Sequence, residues 1–101
     1  MNTAADWLSS AILRFIAVLN RCLSDTTFVE DRRLYTDDLV AANVWLNRLR
    51  DGESAAVIAA TILEPSTAKQ FTDYWRQGVW GDMESEALSA LQEKIRRQLN
   101  S

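Results

Sequence analysis

Three glycines and one proline in 101 residues leave this chain very little turn punctuation. A sandwich or barrel reverses direction about every 8–12 residues and draws on those residue types at each reversal. Helices do not, so the chain is predicted to be all-α. With 48% hydrophobic residues it carries enough apolar surface for one core. A chain of this size removes roughly two-thirds of its extended surface from water on folding. The expected architecture is therefore a single domain over residues 1–101, a compact bundle of four to five helices.

The apolar spacing places the helices. Over residues 4–23, Ala4, Leu8, Ile12, Phe15, Ile16, Leu19, Cys22 and Leu23 share one broad face, opposite Asp6, Ser9, Ser10, Asn20 and Arg21. Thr3 stands where a cap belongs, with Asp6 placed to complete a capping box. Residues 24–36 lack a clear period and read as a connector pinned to the core by Phe28, Val29, Leu34 and Tyr35. A second helix is predicted after Thr36, with Asp37 and Asp38 as first-turn acids and Gly52 as its stop. Its inward stripe is Leu39, Ala42, Trp45, Leu46 and Leu49, while Val40 and Val44 fall on nearly the opposite side.

Ser54 can cap a third segment, Ala55 to Leu63, in which Thr61 is the only polar residue; such a helix belongs in the middle of a bundle. Pro65 forbids its continuation. A fourth helix begins after Ser66, turns Ala68, Phe71 and Trp75 to one side, and stops at Gly78. The last helix is predicted after Gly81 and Asp82, burying Ala87, Leu88, Leu91, Ile95 and Leu99. Asp82, Glu84 and Glu86 would stand free at its start, with Lys94, Arg96 and Arg97 near its end, as the helix dipole favours.

The chemistry is constrained mainly by what is missing. There is no histidine and a single cysteine, which removes imidazole acid–base catalysis, Ser-His triads, multi-cysteine zinc sites and an internal disulfide. Cys22 lies on an apolar face, where burial makes a thiol a poor nucleophile. Adjacent on a helix, Asp37 and Asp38 point about 100° apart and cannot act on one atom together. Asp82, Glu84 and Glu86 lack the glycine-punctuated spacing of a calcium loop, and no phosphate-binding loop or dinucleotide fingerprint occurs. Neither an enzyme, a cofactor nor a metal is expected. With no export signal and no long apolar run, the expected location is cytoplasmic.

Two functional expectations follow. The first is a small non-enzymatic protein that works by protein–protein contact, as a homodimer, an adaptor or an inhibitor. Its contact residues are Val40 and Val44 on the second face of their helix, with Tyr74 and Trp80 near the two glycines. Between those glycines Trp80 either folds over the end of the bundle or presents itself to another chain, and aromatic rings dominate interface energetics. The second is a helix-turn-helix DNA-binding regulator using residues 55–77, in which Lys69, Gln70, Arg76 and Gln77 face the nucleic acid and Asp73 opposes them. A formal net charge of −3 disfavours that alternative.

Overall fold

The computed structural model describes residues 3–64 and 79–99, with side chains described over 6–64 and 83–99. Among these, all regular structure is helical, in four helices: α1 (Thr3–Asp25), α2 (Val29–Arg50), α3 (Ala55–Leu63) and α4 (Val79–Leu99). The predicted helix after Ser66, with Ala68, Phe71 and Trp75, lies outside the described residues.

The apolar face predicted for α1 is the one that is buried: Leu8, Ile12, Phe15, Ile16, Leu19 and Cys22, joined by Ala11. Only Thr26, Thr27 and Phe28 separate α1 from α2, so the two helices form a tight antiparallel hairpin. The connector predicted over 24–36 is thus a correction. Of its four supposed anchors, Tyr35 is fully buried and Leu34 half-buried, while Phe28 and Val29 are exposed.

The segment from Val29 onward is helical because its ends are electrostatically correct and its inward positions keep helical spacing. Glu30 and Asp31 sit in the first turn, Arg48 and Arg50 in the last, each complementing the helix dipole. Its buried face is Asp31, Tyr35, Asp38, Ala42, Trp45, Leu46 and Leu49. Asp38 is therefore not a first-turn acid but a buried residue in the third turn, while Asp37 beside it is exposed. Arg32 ties the hairpin together: its Nη1 donates to the carbonyls of Leu23 at 2.7 Å and Thr26 at 3.3 Å. Those oxygens lie at the end of α1, where a helix leaves carbonyls without partners of its own.

At the other end of α2, Gly52 performs the role expected of it. Its φ of 97° lets the Gly52 amide reach back to the carbonyl of Leu49 at 3.1 Å and the Glu53 amide to that of Arg48 at 3.0 Å. That crossed pair of bonds is the Schellman closure, which a residue with a Cβ forms only under strain. Ser54 follows as the N-cap of α3, without a side-chain capping bond. The stop at Pro65 also shows in the geometry. Glu64 takes φ −59°, ψ 139°, the extended conformation that a following proline imposes.

α3 is not enclosed on all sides as its composition suggested. Ala55, Ile58, Ala59 and Ile62 are buried, but Ala56, Val57 and Ala60 are exposed. α4 begins at Val79, ahead of the predicted start, and so runs through Trp80 and Gly81. Its inward residues are Leu88, Leu91 and Ile95, with Ala87 half-buried and Leu99 exposed. Glu84, expected to stand free in water, is fully buried. The core is the meeting of these faces, and within it the rings of Phe15 and Trp45 stack with centroids 6.4 Å apart and planes 18° from parallel.

Candidate functional site

α2 has two faces because valines recur on the side that its core stripe leaves free. At 100° per residue, Val29, Val40 and Val44 fall within about 60° of one another and point away from Ala42 and Leu49. Their exposures are 79%, 60% and 48% respectively. Isolated exposed apolar residues such as Leu13 or Val57 are ordinary. Three on one stripe of one helix form a surface that gains by being covered. Thr36, Asn43 and Asn47 border it on one flank and Asp37 and Arg48 on the other; Arg33 lies on the stripe between Val29 and Val40, and Asp51 follows Val44.

The Arg48 end of this face is tied to the turn that follows it. Arg48 donates to Glu53 through Nε at 2.7 Å and through Nη2 at 3.0 Å, a two-point clamp across the α2–α3 turn. The bond to Arg48 pulls the Glu53 carboxyl below the usual carboxylate range, and the same bond raises the guanidinium further. Both groups are open to solvent, so this is a positional device more than a source of stability.

A second concave feature lies between α1 and α4. Ala11, Phe15 and Val18 from α1 and Ala87, Ala90 and Leu91 from α4 line a groove of about 170 Å³, with Arg14 and Lys94 at its rim. The alanines create it, since they keep the helices close without filling the space between them. It is smaller than the few hundred Å³ typical of ligand pockets.

The third feature is internal. Cys22, Tyr35, Asp38 and Glu84 are all fully or almost fully buried. Burial pushes the Cys22 thiol above its ordinary value of 9.0, the nearby Glu84 pushes it further, and Tyr35 works in the opposite direction. Glu84 near the start of α4 thus neighbours Cys22 near the end of α1, which makes α1 and α4 antiparallel. A thiol kept protonated is not a nucleophile. In the native protein Cys22 should react with a disulfide reagent about a hundredfold or more slowly than in denaturant, since reaction waits on opening of the fold; equal rates would contradict its burial. The linkage has a definite sign. The folded state retains a proton that the unfolded chain releases above pH 9.0, so this group's contribution to stability declines as pH rises past that value.

Of the residues singled out from the sequence, Val40 and Val44 are exposed as expected. Trp80 lies in the first turn of α4, not on a connector between helices, and its side chain is outside the described residues. Tyr74, Lys69, Gln70, Arg76 and Gln77 also lie outside them; of the turn expected in the helix-turn-helix reading, Leu63 to Ser66, only Leu63 and Glu64 are described. Sequence reasoning missed Val29, although it stands three turns before Val40 on the same stripe. It also missed the inward placement of Asp31, Asp38 and Glu84. Among the described residues no cluster of acids and thiols could hold a metal ion, and no helix is long and apolar enough to cross a membrane. Comparison with protein-family models, curated proteins and solved structures returned no match. Among the described residues, what the geometry defines is an all-helical arrangement whose second helix carries solvent-exposed valines on one stripe.

Proposed function

We propose that this protein acts by binding another polypeptide chain through the outward face of α2, with Val40 and Val44 at the centre of the contact and Tyr74 and Trp80 contributing from the far part of the chain. The observation that carries this reading is the alignment of Val29, Val40 and Val44 on the side of α2 opposite its buried residues. A helix that only had to close the core would gain nothing from β-branched residues there. They lower helix propensity slightly and leave apolar surface in water. Covering half-exposed valines recovers roughly 25 cal/mol for each Å² of apolar surface removed from water.

A photo-crosslinking amino acid placed in turn at positions 40, 44 and 86 tests the reading in living cells. Glu86 is the control, exposed on a different helix, α4. Adducts with protein should form from 40 and 44 and not from 86. Absence of adducts from both valine positions, or equal yields at all three, would remove the α2 face from the function. The mass of the adduct identifies the class of partner: an increase of 11.5 kDa marks a second copy of this chain.

A further inference from the structure

We propose that the partner on this face is a second copy of the chain, docked α2 against α2 in antiparallel fashion about a twofold axis level with Ala42. This rests on the contact reading above and deepens it by naming the occupant. The argument comes from register. In an antiparallel pair related by a twofold axis, each flank of one helix meets the same flank of the other. Setting Val40 opposite Val44 of the second copy buries both valines of both chains in one apolar centre. The same setting brings Arg33 level with Asp51 of the second copy. Asp37 comes within about one residue rise, 1.5 Å, of Arg48 on the same flank. Arg33, Asp37 and Asp51 are exposed and half-buried Arg48 uses Nε and Nη2 for Glu53, so its Nη1 takes no part in that clamp. Symmetry makes each ion pair occur twice.

Neighbouring registers lose this agreement. With Val40 opposite Val40, Val44 meets Thr36, Arg33 meets Asn47 and Asp37 meets Asn43, so no ion pair forms. A slide of one heptad sets Val40 against Asp37. Two like-charge approaches remain in the favoured register: Arg33 toward Arg48, about three residue rises or 4.5 Å apart along the axis, and Arg32 toward Arg50 on the other flank. Arg32 is drawn off that flank by its two bonds to the end of α1, at 2.7 and 3.3 Å. The α2 helices overlap over most of their length, and the small apolar centre makes the association weak, reversible and sensitive to salt.

The test is sedimentation equilibrium of the purified full chain over a range of concentrations and at two ionic strengths. A reversible monomer–dimer equilibrium is expected, weakened by salt. Val40→Glu and Val44→Glu should each raise the dissociation constant at least about tenfold with the helical circular dichroism unchanged; Val40→Ser is the milder companion if a charge disturbs folding. Arg33→Asp should also weaken the dimer, and Arg33→Asp combined with Asp51→Arg should restore it. A chain that stays monomeric up to about 1 mM would overturn the proposal, as would a dimer indifferent to the valine changes or a charge reversal that Asp51→Arg fails to rescue. If the chain is monomeric while positions 40 and 44 still crosslink to a protein of another mass, the second copy is wrong and the contact reading stands. If they crosslink to nothing, both fall.

Discussion

Phe15→Ala is expected to lower the free energy of unfolding by about 3–5 kcal/mol, the usual cost of deleting a buried aromatic side chain. That would be a large part of the roughly 5–15 kcal/mol by which domains are stable. Phe15 is placed to have such an effect. From α1 it stacks on Trp45 of α2, and it also forms part of the groove wall against Leu91 of α4. Removing it takes away a ring contact worth about 0.5–1.5 kcal/mol beyond area burial and loosens two helix–helix contacts at once. The groove moderates the loss, because a cavity that opens to water collapses or hydrates more readily than a sealed one. The lower half of the range is therefore favoured over the upper. Urea titration of the variant should show a lower midpoint with little change of slope. Phe15→Leu, which keeps most of the volume, should cost less than half as much. A loss below about 1 kcal/mol for the alanine variant would mean that the α1–α2 interface does not depend on this ring.

What the sequence disclosed and what it concealed can be traced to individual positions. α1 was legible because every inward position is apolar, so spacing and chemistry gave the same answer. In α2 the spacing is equally regular, but positions 31, 35 and 38 hold Asp, Tyr and Asp. A search for apolar periodicity passes over them and finds the stripe only from Leu39 onward. Charged residues are seldom buried, so placing Glu30 to Arg33 in a connector followed the general rule, and at Asp31 tertiary context overrode it. Gly81 misled in a similar way. A glycine inside a helix costs about 1 kcal/mol relative to alanine, which suggests a boundary but does not compel one. Here α4 runs through it.

The candidate surface shows the same division. Val40 and Val44 could be found because an apolar residue facing away from an apolar stripe is visible in one dimension. The neighbourhood of Cys22 and Glu84 could not, since it joins residues far apart in the chain through packing that no local pattern encodes. The ion pairs inferred across two copies occupy an intermediate position. Each is visible only once α2 is known to run unbroken from Val29 to Arg50, because Arg33 and Asp37 belong to one rigid face only if the same helix carries both.

Gln92→Leu should cost about 1–3 kcal/mol, although the replacement is apolar, of similar size and directed into a buried site. Gln92 is mostly buried on α4, and its Nε2 donates to the carbonyl of Ile62, 30 positions earlier in the chain, at 3.1 Å. Ile62 stands one residue from the end of α3, where carbonyl groups have no acceptor role within their own helix. Glu64 already bonds back to Thr61, and its extended backbone ahead of Pro65 prevents the helix from supplying further amides. The Ile62 oxygen therefore depends on a donor from elsewhere. Leucine in place of Gln92 would leave that oxygen desolvated and without its partner, a penalty that added apolar contact only partly offsets. Gln92→Glu discriminates between volume and bonding: it keeps the shape while replacing the donor by an acceptor, so it should be at least as destabilising as leucine near neutral pH and should recover as its carboxyl is protonated in acid. Equal stability of wild type and the leucine variant in urea would show that α3 is held on α4 by apolar contact alone.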